Sequence, residues 1–239
     1  MNITDEEVLR ENAMNEFDKA LQQFISLKML KYSDIDIKRT MLVIVDMNRG
    51  FAKKGDMYSP YVEAIIPGIA KFAVRFDKDE GIVIAHTDEH EKTAEEFKNY
   101  PVHCLKDTEE SKLVEELAQI ENILTLKKNN TNGMLAQNPL EIIEQFGKVN
   151  ADLIDTVLVV GCVTDICVKQ FAVSMKKYGN EIDRDLDVKV IEEMTDTFDI
   201  PGVHDREYEQ VMAIYDLQKN GVEVVKGIEY DDEMENDLT

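Results

Sequence analysis

Six short, mostly continuous apolar runs punctuate the chain, at residues 41–45, 81–85, 123–126, 157–160, 188–191 and 222–225. Unbroken runs rich in Val and Ile are the pattern of strands buried on both faces of a parallel sheet. Between them, apolar residues recur at helical spacing. Ile65, Ile66, Ile69, Phe72 and Ala73 mark one side of a helix over residues 61–76. Val168, Phe171, Ala172 and Met175 mark the stripe of another, with Gly179 placed to cap it. Short helices are expected over 113–118 and 142–146, and a longer one over 206–219 closed by Gly221. Strand and helix alternate throughout. The pattern predicts a three-layer α/β fold, with helices on both faces of a six-stranded, mostly parallel sheet.

The two ends read differently. Residues 1–38 form a helical extension, opened by a capping-box pattern at Thr4 and Glu7. Met14, Phe17, Leu21, Phe24 and Ile25 give it one apolar face, expected to pack on the main domain or on a partner subunit. Residues 39–228 are the main domain. Residues 229–239 are an acidic tail without Lys or Arg, expected to be disordered or solvating. Lys and Arg number 27 against 49 Asp and Glu, a net charge of −22. That balance argues against nucleic acid or an anionic membrane as a partner. No apolar run approaches the roughly 20 residues of a membrane span, and no secretory apolar core opens the chain. Cys104, Cys162 and Cys167 are the three cysteines and form no disulfide framework, so free thiols in a cytoplasmic setting are expected.

Candidate chemistry gathers just after the strands. Asp46 follows the first. Three of the four histidines lie close after the second, in His86-Thr-Asp88-Glu-His90 and Tyr100-Pro-Val-His103-Cys104, with Glu95 and Glu96 between. Asp, Glu and His supply the oxygen and nitrogen donors of a divalent metal. His86 is expected to be held structurally by hydrogen bonds, and His204, far away in sequence, has no assigned role. Lys127 and Lys128 follow the third strand at once. After the fourth, the chain bends at Gly161 and reaches Cys167 in the first turn of a helix, where unpaired N–H groups and the helix dipole favour a thiolate. In a parallel sheet these strand ends share one edge, so Asp46, the His cluster, Lys128 and Cys167 are expected on one rim.

These residues resemble the isochorismatase-like cysteine hydrolases, and among them the nicotinamidases, over about residues 39 to 228. Gly161-Cys-Val-Thr-Asp-Ile-Cys167-Val is similar to the nucleophile motif, and Val-Asp46-Met-Asn-Arg-Gly-Phe51 to the motif with the catalytic Asp. Lys128, six residues before Met134, fits the catalytic Lys better than Lys127 does. Asp88-Glu-His90 and Tyr100-Pro-Val-His103-Cys104 resemble the nicotinamidase metal segment. The resemblance implies Asp88, His90 and His103 as metal ligands, with Glu96 nearby, and a divalent cofactor (Zn, Fe or Mn). It implies Phe51 and Tyr100 as the walls of a pyridine-ring site. The second wall is often Trp in the family, and this chain has none.

The function implied is hydrolysis of a linear amide C–N bond, nicotinamide to nicotinate and ammonia. Cys167 would attack, Asp46 would act as base and then acid, and Lys128 would hold Asp46. Backbone N–H groups of Val163 and Cys167 would form the oxyanion hole, a geometry that in the family depends on a cis peptide, here Cys162–Val163. The metal would orient the pyridine nitrogen. Cys162 and Cys104 are expected to be packing residues. The partner expected is a small-molecule amide, with homo-oligomers common among similar proteins. The alternatives are a cysteine hydrolase of another small amide, and a non-catalytic interaction protein of the same fold.

Overall fold

The computed structural model describes residues 5–147 and 150–231. Eight strands are present among them: β1 (Leu30–Lys31), β2 (Thr40–Val45), β3 (Ile82–Asp88), β4 (Leu124–Lys128), β5 (Thr156–Cys162), β6 (Asp187–Asp196), β7 (Glu223–Val225) and β8 (Ile228–Glu229). Six form one sheet in the order β4-β3-β2-β5-β6-β7, with every pairing parallel. β2 and β5 lie at its centre, and all six residues of β2 are buried. The chain runs outward from β2 to β4, then returns to β5 and runs the other way. The strand order therefore reverses between β2 and β5, and open α/β sheets bind ligands at the C-terminal end of such a point.

The helices are α1 (Glu6–Ile25), α2 (Arg49–Ala52), α3 (Pro60–Ala64), α4 (Ile66–Lys78), α5 (Glu115–Ala118), α6 (Gly133–Ala136), α7 (Pro139–Gln145), α8 (Lys169–Glu181) and α9 (Arg206–Lys219). On one face of the sheet, Ile69, Phe72 and Phe76 of α4 pack against Leu42, Ile44 and Val160. On the other, Phe171 and Met175 of α8 and Ile214 and Leu217 of α9 cover Val43, Val159 and Val190. The three layers anticipated from the apolar runs are present.

Some boundaries differ from the pattern. The single helix expected over 61–76 is two, because Pro67 starts a new helix in its first turn. Gly179 does not cap α8; it lies inside it, where a Cβ would come within 2.8 Å of the Leu186 Cβ. It is there for close packing. The cap of α1 is Asp5, whose carboxylate accepts from the N–H groups of Glu7 and Val8. Thr4 lies outside the described residues. α1 lies along α9, with Ala20 against Val211 and Tyr215, and with Phe17, Leu21 and Phe24 beside them. Met14 and Ile25 of the expected stripe stay exposed. At the other end, β8 pairs with β1 and Tyr230 stacks on Tyr32, with ring centres 5.4 Å apart. The first residues of the acidic segment are thus part of the packed fold; residues 232–239 lie outside the described ones.

Candidate active site

Asp46, Asp88 and Lys128 sit where strands of the parallel sheet end, and the nucleophile turn follows the end of another. Asp46 directly follows β2 and adopts a left-handed backbone, φ 51°. Asp88 and Lys128 are the last residues of β3 and β4 and are partners in their register. β5 ends at Cys162, the Cys162–Val163 peptide is cis, and Thr164–Val168 form one wide turn ahead of α8. In that turn the Val168 N–H donates to the Val163 carbonyl over 3.1 Å. The turn begins beside Gly161, at φ 112°, where a Cβ would stand 2.0 Å from the Val45 carbonyl oxygen. Only glycine lets β2 and β5 approach this closely.

Lys128 is the hub. Its side chain is fully buried, and its Nζ lies 2.8 Å from Asp46 Oδ2, 2.8 Å from Asp88 Oδ1 and 2.9 Å from the Asn130 carbonyl. An ammonium has three donors, and three oxygens face it. Burial disfavours its charge, but Asp46, Cys167 and Asp88 together hold its proton well above the usual lysine range. Lys127 points the other way, as strand alternation requires, and pairs with Glu89 in solvent.

Asp46 and Cys167 are both buried and lie close enough to shift each other's proton affinity. Burial pushes the Asp46 carboxyl up, Lys128 pulls it back and Asp88 pushes it again, leaving it at about 7. Burial likewise pushes the Cys167 thiol up, and Asp46 outweighs part of the pull from Lys128, so the thiol stays protonated well above its usual range. The expectation of a thiolate stabilised by a helix start is therefore corrected. Cys167 does lie in the first helical turn, Thr164–Val168, which runs straight on into α8, but burial is the dominant influence on its thiol, with Lys128 pulling against it and Asp46 adding to it. The resting pair is a thiol beside a base.

The second half of the site is built from Asp88, His90, Glu96 and His103, whose donor atoms all lie within 4.8 Å of one another. His90 Nε2 stands 3.0 Å and His103 Nε2 3.2 Å from the same Asp88 oxygen, Oδ2. Their other nitrogens face acceptors: His90 Nδ1 meets Asn129 Oδ1 and His103 Nδ1 the Pro101 carbonyl, each at 2.7 Å. Those contacts orient both rings so that each Nε2 faces the Asp88 carboxylate. His90 Nε2 is buried with no hydrogen-bond donor to meet it. Burial and the Asp88 charge hold the half-buried Glu96 carboxyl above its usual range. Asp88 stays ionised well below the usual carboxylate range: burial opposes its charge, but Lys128 and both histidines outweigh that. Two carboxylates and two imidazoles converge within one small volume, a mixed oxygen and nitrogen donor set that fits a divalent metal.

Asp46, Asp88, Glu96, His103 and Cys167 share one half-open cleft, and Val163 lines it beside them. Phe51 and Tyr100 form walls of this cleft, as expected. Phe51 leans on His103 at 5.3 Å. A third aromatic wall, Phe198, was not anticipated; its ring centre is 6.4 Å from that of Phe51. It lies just past β6, so the strand-end rule that flagged the other positions could have found it.

The remaining candidates divide. Cys162 is buried, and its thiol donates to the Asp46 carbonyl over 3.0 Å; Cys104 is buried against the Glu110 carbonyl at 3.4 Å. Both are packing residues as expected. His86 differs from expectation. It is buried against Phe171, and neither ring nitrogen has a hydrogen-bond partner. Burial, aided by the Lys128 charge, pushes its proton affinity down to about 3, so it is a neutral ring packed as an aromatic. His204, given no role from sequence, bonds Asp165 in the nucleophile turn at 3.0 Å.

Comparison with known proteins agrees with this geometry. The isochorismatase domain family matches residues 40–227, from the first residue of β2 to just past β7. Nicotinamidase 1 of Arabidopsis thaliana is 29% identical over 213 residues, 80% of this chain and 86% of the relative. The structure of a pyrazinamidase of Pyrococcus horikoshii in complex with zinc superposes with a TM-score of 0.64 at 21% identity, covering 79% of this chain and 99% of that one. The N-carbamoylsarcosine amidase of Thermoplasma acidophilum gives 0.61 at 22% identity, covering 79% and 96%. No helix among the described residues is long and apolar enough to cross a membrane. The chain belongs to the isochorismatase family, as a cysteine hydrolase.

Proposed function

We propose that this protein is a metal-assisted nicotinamidase that hydrolyses nicotinamide to nicotinate and ammonia. The observation that carries the reading is the junction at Lys128, where one buried ammonium joins the base beside the nucleophile to the carboxylate of the donor set. The reacting pair and the metal seat therefore stand side by side in one cleft with aromatic walls. Similarity to a plant nicotinamidase supports the same substrate.

Asp46 takes the proton from Cys167 Sγ, and the sulfur attacks the amide carbon. The tetrahedral oxyanion faces the backbone N–H groups of Val163 and Cys167. As the C–N bond breaks, Asp46 returns the proton to the departing ammonia, leaving a thioester on Cys167. Water, deprotonated by the same carboxylate, attacks the thioester; the acid leaves and the thiol regains its proton. Lys128 keeps Asp46 in place and neutralises the charge carried by the pair. Asp88, His90, Glu96 and His103 would hold the ion, which when bound supplies a Lewis-acid docking point for the ring nitrogen.

Ammonia release from nicotinamide by the purified protein with added Zn, Fe or Mn tests the reading. Release that disappears in Cys167→Ala supports it. Release no faster than from that variant overturns it and leaves another small amide, or a non-catalytic role, in its place.

A further inference from the structure

We propose that His204 and Asp165 are positioning residues that latch the aromatic wall at Phe198 onto the nucleophile turn, and so set how well the cleft holds a flat ring. The inference rests on the proposed aromatic-amide substrate, but its geometry stands independently. Residues 197–205 connect β6 to α9 and carry Phe198 into the cleft beside Phe51. The base of this loop closes on itself, with reciprocal backbone hydrogen bonds between Ile200 and His204 at 2.9 and 2.8 Å. Its polar attachments are the Ser59 hydroxyl, which donates to the Thr197 carbonyl over 3.3 Å, and on the nucleophile turn Asp165, two residues before Cys167. One Asp165 oxygen accepts from the Thr197 hydroxyl and the other faces His204 Nε2 at 3.0 Å.

The second ring nitrogen of His204 faces the Phe198 carbonyl at 3.0 Å. A carboxylate and a carbonyl only accept, so both nitrogens must donate, and the latch is an imidazolium. The ring also stands edge-on to Phe198, with centres 6.4 Å apart. One side chain thus grips Phe198 at its backbone and its ring and ties both to the turn carrying the nucleophile. Glu209 of α9 also faces His204 and adds to the favourable charge, while partial burial opposes it. Neither His204 nor Asp165 reaches the reacting atoms through this arrangement. Losing the latch frees the wall without removing any group the chemistry needs.

Two alkylating reagents separate these effects in the full-length protein. Iodoacetamide is small and reports the reactivity of Cys167; 3-(bromoacetyl)pyridine carries a flat ring and reports the walls as well. The ratio of their rates cancels the titration of the thiol itself. In His204→Ala the pyridyl-to-iodoacetamide ratio is expected to fall about tenfold, with the iodoacetamide rate unchanged. In His204→Gln, which keeps one donor toward Asp165, at least part of the ratio returns. In the unsubstituted protein the ratio falls as pH rises through the titration of His204, and in His204→Gln it is flat with pH. Nicotinamide turnover runs alongside: KM rises in His204→Ala and kcat holds. An unchanged ratio in His204→Ala overturns the proposal, as does an equal fall in both alkylation rates, which would place the effect on Cys167. If the unsubstituted protein releases no ammonia from nicotinamide, the substrate reading fails while the alkylation ratio still decides the latch.

Discussion

Two Asp–His groups stand on either side of the cleft, with the same pair of residue types at the same 3.0 Å separation, and they are built for opposite ends. At Asp88 two imidazoles converge on one carboxylate oxygen, both already oriented by acceptors at Nδ1. Glu96 brings a second carboxylate into the same small volume. At Asp165 one imidazole meets one carboxylate, with the remaining oxygen bonded by Thr197 and the remaining nitrogen by a carbonyl. Every polar atom there is matched. The residue pair alone does not say whether a site calls for a metal. What decides it is whether the surrounding acceptors leave the group balanced or short of positive charge.

The comparison breaks most severely at Lys128. Lys128→Met leaves two buried carboxylates, Asp46 and Asp88, without their ammonium, and is expected to cost about 3–5 kcal/mol of stability. Urea unfolding measures this, and a midpoint equal to that of the unsubstituted protein would show that the ammonium does not hold the two halves together. Next comes Asp88→Asn, which keeps the shape but removes the charge both histidines face. Metal affinity is expected to drop at least about 100-fold, read by competition with a chromogenic chelator. Asn129→Ala, which only releases the orientation of His90, is expected to lower the same affinity about tenfold. The pH dependence follows from Asp46, whose acid is raised to about 7 chiefly by burial. A raised acid is protonated below that value and then accepts no proton from Cys167. The kcat/KM is therefore expected to fall as pH drops through about 7, approaching about a tenfold loss per unit, with no matching fall above it until other groups titrate. An acid limb near the ordinary carboxylate value instead would remove Asp46 as the base. The smallest effect sharpens the contrast from the other side: His204→Ala is expected to leave metal affinity unchanged, because its group is satisfied without an ion.

Asp46, Asp88, His90, His103, Lys128 and Cys167 were all legible as candidates because apolar runs mark strands and strand ends share a rim. Glu96 came only with the family resemblance, and the structure places its carboxylate with the others. What escaped depended on three-dimensional surroundings. The protonation of Cys167 could not be read from a helix start, since burial and Asp46 act through contacts between β2 and β5. His86 was expected to be hydrogen-bonded because a histidine at a strand end has polar options; the packing of Phe171 and Gly133 against its ring excludes them. Phe198, just past β6, was within reach of the strand-end rule, but His204 lies deep in a loop without periodicity. Only the fold brings that loop to Asp165, 39 residues before His204 in the chain.

Gly161 has a consequence for heat. Its missing side chain lets the backbone of β5 lie directly against Val45, so the segments bearing Asp46 and Cys167 are welded into the two central strands of the sheet. No hinge separates base from nucleophile. On warming, the outer loops can loosen while that spacing holds, and the curve of thermal inactivation is expected to lie on top of the curve for melting of the sheet itself.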